Sequence, residues 1–382
     1  MKKIYVLIVI ILCINGEYKA QSSKKDGEIY RFSIVKQIPH SPIKNQQKTG
    51  TCWSFATISF LESEIIRKTG NIVDLSEMYI VRHAYSLKAR YYLETSGKNT
   101  FGEGGISHDV TRILKEYGIV PDSIYPGLTN NTSIFNHNEM EGVIKGIANA
   151  VLNTSTNNDN WNKVYEYALD TYMGETPKTF VKDSKVYSPI SYTNQYLKIN
   201  PDDYVEITSY THLPNYSYSE LELPDNWTHD KMYNVPLDEL IMVIDSALIK
   251  GYTLTWDGDV SENEFLHEKA IAILPVKKWE SKDITDKSKT GVIPENEEKV
   301  TPLMRQNSFE DKTTTEDHLM HIVGFAKDQK GNKFYYVKNS WGCNSGEQGY
   351  MYISEAYCRM KLVDVMVNKN ALPLQLRKKL GI

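Results

Sequence analysis

Four side chains in this sequence are of types that together can do acyl chemistry: Cys52, His318, Asn339 and Gln46. A thiol attacks a carbonyl carbon well only as thiolate, and a free cysteine is mostly protonated at neutral pH. Cys52 opens an apolar helical run, in Asn45-Gln46-Gln47-Lys48-Thr49-Gly50-Thr51-Cys52-Trp53-Ser54-Phe55-Ala56. A helix N-terminus offers about half a positive charge and unpaired N–H groups, which lower a thiol pKa. Gly50 lets the backbone come close. Gln46, six residues earlier, falls on the preceding loop, where its amide can help hold an oxyanion with the Cys52 N–H as second donor. Taken alone, an isolated cysteine in an apolar helix is as readily a structural residue. Its companions decide.

Those companions lie near the other end, in Asp317-His318-Leu319-Met320-His321-Ile322-Val323-Gly324-Phe325 and Tyr336-Val337-Lys338-Asn339-Ser340-Trp341-Gly342. Residues 318 and 321 of one strand point to opposite faces, so only one of the two histidines can look into a cleft. His318 starts the strand and is favoured as the base. His321, among apolar neighbours, reads as a hydrogen-bonded structural histidine. Asn339 can accept from the imidazole N–H and fix its tautomer, with Trp341 shielding that bond from water. A Cys–His–Asn set does the work of a serine triad, with thiolate and imidazolium able to form before substrate arrives. Cys52, His318 and His321 lack zinc spacing, so neither a metal nor any other cofactor is expected.

The elements that must hold these groups are partly legible. A helix from about Cys52 to Lys68 is apolar over so much of its circumference that it must be largely buried, and Gly70 stands where a C-cap belongs. Further helices are expected after Leu75-Ser76-Glu77, over Ser107 to Tyr117, near Trp161–Tyr172 and over Pro236–Lys250. Strands are expected at Tyr252–Trp256, Leu319–Ala326, Phe334–Lys338 and Tyr350–Ile353. Ile34 to Lys44 reads as extended approach chain, and the charged stretch Lys277–Lys299 as a surface excursion. Helices first and strands later indicate an α+β fold with two subdomains meeting at a cleft.

The 382 residues are 41% hydrophobic and 24% charged, the balance of a globular chain with ample core. A net charge of −4 gives no support for a nucleic-acid partner. Met1-Lys2-Lys3, an apolar run from Ile4 to Ile14 and a polar stretch to Ala20-Gln21 read as a signal peptide cleaved near Ala20. That predicts an exported protein, periplasmic or secreted, with no stable membrane insertion once the leader is gone. Cys13 invites a lipoprotein reading, which the bulky Leu12 before it disfavours. The remaining cysteines, Cys52, Cys343 and Cys358, are odd in number, so at least one thiol is free. Nothing in the spacing of Cys343 and Cys358 requires them to pair.

With these blocks assembled, the chain resembles the papain-like cysteine peptidases: NQ, five residues, CW, then DH with a glycine six residues after the histidine, then NSWG. Within that superfamily it is most similar to the bleomycin hydrolase and aminopeptidase C family. The similar stretches are Gly174-Glu175-Thr176-Pro177-Lys178-Thr179-Phe180, Tyr233-Asn234-Val235-Pro236-Leu237, Trp256-Asp257-Gly258-Asp259-Val260 and His318-Leu319-Met320. The resemblance spans roughly Pro42 to Pro373. It implies a helical left subdomain (about 45–125), an inserted helical and irregular layer (about 128–235) and a β-barrel-like right subdomain (about 251–370), followed by a short arm (371–382). It also implies peptide substrates, a groove bordered by Gly104, Gly105, Trp53 and Trp341, and a homo-oligomer, hexameric in the family.

The chain departs from the resemblance at Thr49, where many papain relatives carry a cysteine. The family's C-terminal arm enters the groove and receives the substrate's amino terminus; here residues 371–382 are few, basic and apolar. Aminopeptidase action is therefore the expectation, with an open-groove endopeptidase as its alternative. Acyl transfer to an amine uses the same groups, though the Gln46 and Asn-Ser-Trp context favours hydrolysis. An inactive peptidase-like binding protein usually loses a catalytic residue, and this chain keeps all four.

Overall fold

Strand β1 (Ser33–Gln37) and helix α1 (Cys52–Thr69) come first in a computed structural model that describes residues 29–129, 133–154 and 159–382. The expected leader and Cys13 lie outside the described residues. Helix α1 is buried from Cys52 to Ile65 because layers cover it on both sides. Helices α2 (Glu77–Glu94) and α3 (Ser107–Glu116) lie on one side and the main sheet on the other. Several of its buried polar groups bond to the neighbouring helices: Ser54 Oγ donates to the Glu77 carbonyl, and Thr57 Oγ1 to Ser107 Oγ. Glu62 accepts the Leu75 N–H. The helix ends at Gly70, whose φ of 75° closes the last turn through an N–H to the Ile66 carbonyl. Ser76 starts α2 by accepting the Tyr79 N–H.

Helices α4 (Asn138–Leu152) and α5 (Asn160–Met173) pack on one another and on α2. A hairpin of β2 (Phe180–Lys182) and β3 (Lys185–Tyr187) follows, then a turn, α6 (Pro189–Ser191), continuing as a π-helical turn over Tyr192–Leu197. The insertion is more than a separate layer. Its later strands β4 (Tyr204–Thr208), β5 (Tyr218–Glu220) and β6 (Lys231–Asn234) extend the main sheet.

The second half supplies α7 (Leu237–Lys250), β7 (Leu254–Gly258), β8 (Phe265–Leu266), β9 (Ile271–Ala272), α8 (Ile284–Lys289) and α9 (Pro302–Glu310). It ends with β10 (His318–Lys327), β11 (Lys333–Lys338), β12 (Tyr350–Ser354), α10 (Glu355–Lys361), β13 (Leu362–Asn368) and α11 (Leu374–Leu380). The strand order is β5-β6-β4-β13-β7-β10-β11-β12-β9-β8, with β1 added on β10. This corrects the barrel-like expectation: β5 and β8 end the order and do not pair with each other, so the described sheet does not close. The fold class is α+β, as expected. Successive residues of β10 face different cores. Leu319 packs in the helical one, while Met320 and Ile322 pack in the one beneath α7. The charged excursion over Lys277–Lys299 carries its own anchor, a buried Lys282 whose Nζ lies 2.7 Å from both Thr290 Oγ1 and Glu295. Among the described residues no helix is long and apolar enough to cross a membrane.

Two glycines with the same backbone conformation separate strain from sterics. Gly70 (φ 75°) has open space where a Cβ would go, whereas at Gly118 (φ 77°) a Cβ would meet the Pro189 carbonyl carbon at 2.4 Å. Gly70→Ala is expected to lower the unfolding free energy by about 1–2 kcal/mol, the left-handed penalty alone. Gly118→Ala should cost clearly more in the same urea titration.

Candidate active site

Cys52 is the first residue of α1, and the Thr51 side chain makes no capping bond. The Ser54 N–H bonds the Thr51 carbonyl at 3.0 Å, which leaves the N–H groups of Cys52 and Trp53 without an intrahelical partner. The N–H groups of Leu319 and Trp53 point at the Cys52 sulfur. Burial nevertheless pushes the thiol up to about 12, helped by the carboxyls of Glu316 and Asp225. His318 is driven the other way, down to about 4, by the same burial, with its bond to Asn339 opposing. A proton passed from sulfur to imidazole creates no net charge, and each new charge then solvates the other.

His318 begins β10, and its Nε2 donates to Asn339 Oδ1 at 2.7 Å. Asn339 Oδ1 also accepts the Ser340 N–H at 2.7 Å, which fixes the amide's orientation and hence the imidazole tautomer. The Trp341 ring stacks on His318 at 4.6 Å between centroids and covers the bond. Nδ1 is left as the nitrogen for the cleft that His318 and Cys52 both line. That cleft holds about 290 Å³, near the small end of ligand pockets.

Gln46 ties the two halves together. Its N–H donates to the Ser340 carbonyl at 2.8 Å, and its Oε1 accepts from Ser340 Oγ at 2.6 Å. One Nε2 proton goes to the Thr49 carbonyl at 2.8 Å, which leaves the second for the cleft beside Cys52. The Asn-Ser-Trp block thus acts at each of its positions: one residue on the imidazole, one on the glutamine, one as a cover.

Gly104 and Gly105 line the cleft with Trp341. A Cβ on Gly105 would stand 2.7 Å from Asp109 Oδ2 and 3.0 Å from the Trp53 ring. Trp53, expected on the groove, is instead wholly buried, and its Nε1 donates to the Glu103 carbonyl at 2.9 Å. It props the glycine wall from behind and does not line the cleft, because α1 turns its ring inward among the helices. Sequence reasoning missed Asp225, Val260 and Glu316, which line the same cleft. Glu316 stands two residues before His318 and could have been noticed for that; nothing in the sequence points to Asp225.

His321 lies behind the site, with Nδ1 and Ser59 Oγ 2.8 Å apart, and burial holds it well below the usual imidazole range. Lys338 Nζ donates to the same hydroxyl at 2.7 Å, so His321 is a neutral packing residue at this seam. Cys343 and Cys358 are unpaired, the first exposed and the second in the core beneath α7. After Pro373 the chain forms α11, burying Leu376 and Leu380 in that core, while Lys379 bonds Glu239 at 2.6 Å. Residues 371–382 do not line the cleft.

A model of the Peptidase C1-like family matches residues 13–381. Aminopeptidase G of Lactobacillus delbrueckii subsp. lactis is 22% identical over 390 residues, covering 88% of this chain and 83% of its own. Aminopeptidase C of Listeria monocytogenes is 24% identical over 383 residues, covering 89% of this chain and 83% of its own. Among solved structures, PepW from Lactobacillus rhamnosis superposes with a TM-score of 0.71 at 19% identity, covering 91% of this chain and 84% of its own. That likeness is one of fold.

The three thiols among the described residues differ in access: Cys343 is exposed, Cys52 is 8% exposed at the cleft and Cys358 is 0% exposed. Iodoacetamide on the native protein, followed by peptide mass mapping, should label Cys343 and Cys52 and spare Cys358. A labelled Cys358 in folded protein would contradict the packing.

Proposed function

The chain belongs to the Peptidase C1-like family, and from that premise we propose that Cys52, His318, Asn339 and Gln46 hydrolyse peptide bonds through a thioester. The protein is a cysteine aminopeptidase, the activity named in relatives such as Aminopeptidase G and Aminopeptidase C. The observation that carries the residue assignment is the His318 Nε2–Asn339 Oδ1 bond of 2.7 Å, made by a histidine that shares its cleft with a helix-terminal cysteine.

The steps follow from the geometry. Cys52 Sγ bonds to the substrate carbonyl carbon as its proton moves to His318 Nδ1. The carbonyl oxygen takes up the negative charge, facing the free Nε2 proton of Gln46 and the N–H of Cys52. The intermediate collapses by breaking the C–N bond, and the leaving amine takes the proton from Nδ1. Water then attacks the thioester carbon, losing a proton to Nδ1; the C–S bond breaks, the acid departs and the thiol is restored. Throughout, Asn339 keeps Nε2 protonated and Nδ1 available.

Cys52→Ser should abolish turnover, and full activity in that variant would end the assignment. Gln46→Ala should lower kcat about 10²- to 10³-fold with little change in KM, the cost of one oxyanion donor. Its bonds to Thr49 and Ser340 also go, so circular dichroism should accompany the kinetics. Free aminoacyl amides should be cut in preference to their N-acetyl forms; equal rates would remove the aminopeptidase description.

The pH profile carries a sign. Burial lowers His318 to about 4, and the neutral imidazole is the proton acceptor. Activity is therefore retained below the ordinary imidazole value of about 6.5 and lost as pH falls through the lowered one. An acid limb of kcat/KM near 6.5 would contradict the burial of His318.

A further inference from the structure

An aminopeptidase must hold the free α-ammonium group of its substrate within one residue of the nucleophile. The cleft contains no Lys or Arg but three acids, Asp225, Glu316 and Asp317. Asp317 is already engaged, accepting from Thr315 Oγ1 at 2.8 Å on an exposed loop. The other two are built into the wall. Asp225 comes from the loop between β5 and β6 and lies flat on Gly104, where a Cβ would fall 1.9 Å from its Oδ2. Only glycine at 104 leaves that carboxyl its place. Glu316 comes from the opposite subdomain, just before β10, and receives the backbone N–H of Asp225.

The second observation concerns Glu316 itself. Its Oε2 is sealed from solvent and accepts no hydrogen bond among the described residues. A buried carboxyl oxygen without a donor is costly, and such atoms in native proteins call for an explanation. Lys88, whose charge acts on Asp225, does not supply one. Lys88 Nζ is spent on the carbonyls of Gly102, at 2.9 Å, and Gly104, and forms no ion pair with either acid among the described residues.

Building on the aminopeptidase reading, we propose that Glu316 and Asp225 together form the receptor for the substrate's α-ammonium group, the Glu316 carboxyl taking one N–H and Asp225 closing the site from the Gly104 side. An ammonium group has three donors and no acceptor, which suits a pocket walled by two carboxyls. Both acids line the cleft that holds Cys52 and lie close enough to raise its thiol. Burial raises both carboxyls above their usual range, and an ammonium group seated beside them would favour their charged form.

The same receptor chemistry would fit a lysine side chain one residue further from the scissile bond, and the experiment separates the two. Wild type, Glu316→Gln and Asp225→Asn are assayed on three fluorogenic substrates: leucyl amide, N-acetyl-leucyl amide, and an N-acetyl-lysyl-leucyl amide. Cys52 alkylation in a Cys343→Ser background counts intact sites in each variant. The expected result is a wild-type preference for free leucyl amide. Glu316→Gln should lower its kcat/KM about 10- to 100-fold, the size of one lost charge-assisted bond, while the acetylated substrate is unchanged. Asp225→Asn should act in the same direction more weakly. If wild type prefers free amines and both variants keep that preference, the receptor assignment fails while the aminopeptidase reading stands. If wild type instead prefers the blocked lysyl substrate and Glu316→Gln removes that preference, the acids bind a side chain and the α-ammonium assignment is overturned. Equal wild-type rates on free and acetylated leucyl amide would sink the aminopeptidase reading itself.

Discussion

The packing of α1 against β10 is the constraint from which the site follows. The two elements are pinned where Ser59 meets both His321 and Lys338. From that pin, Cys52 lies seven residues back along the helix, about 10 Å at 1.5 Å per residue. His318 lies three residues back along the strand, also about 10 Å at 3.3 Å per residue. Two arms of equal length therefore leave one junction and reach the same cleft, where the Leu319 N–H points at the Cys52 sulfur. A one-residue slip of β10 would turn His318 away and bring Leu319 in, so register is part of the chemistry. The second histidine of the His318–His321 pair has its use here, as a fixed point for the first.

This seam is polar, which is unusual for a junction so deep. Lys44 Nζ lies 2.6 Å from Asp74, 2.7 Å from Glu77 and 3.7 Å from Glu62, beside the Ser59–His321–Lys338 group. Apolar packing would hold α1 as firmly, and a buried ion pair is weak evidence for stability. What directional bonds add is a single register, since a slid helix would leave Glu62 without both its lysine and the Leu75 N–H. The Gln46–Ser340 tie serves the same end at the cleft itself, aligning the oxyanion donor with the strand that carries Asn339.

How much of this could be seen in the sequence depended on how local the signal was. Helix α1, α7 and strands β10 to β12 were legible because periodicity, glycine punctuation and polar markers all fell within short windows. Helix α4 was missed although Met140, Ile144 and Ala148 recur at helical spacing, because Gly142, Gly146 and the many asparagines around them weakened the pattern. Strands β4 and β13 were not assigned. Their pairing joins residues 204–208 to residues 364–368, a partnership that no local window reveals. The same holds for function. Cys52, His318, Asn339 and Gln46 announced themselves by type and context, whereas Trp53 was placed on the groove by neighbourhood alone and proved to stand behind it. Asp225 and Glu316 meet only because the insertion's later strands extend the sheet and carry a loop back over Gly104.

That loop joins specificity to activation. The thiol of Cys52 is raised chiefly by burial and then by Glu316 and Asp225, so the acids that suit an ammonium group also resist the thiolate. Without substrate, the cleft favours neutral sulfur and neutral imidazole, a pair slower to react than the thiolate. An α-ammonium seated between the carboxyls cancels their opposition to a negative sulfur at the moment a carbonyl carbon comes within reach. The helix N-terminus and the Leu319 and Trp53 N–H groups then act on the thiolate unopposed by uncompensated acid. A substrate lacking the free amine would fill the cleft but leave that electrostatic penalty in place. Discrimination would then fall partly on the chemical step, and the ammonium group would act in the transition state as well as in binding.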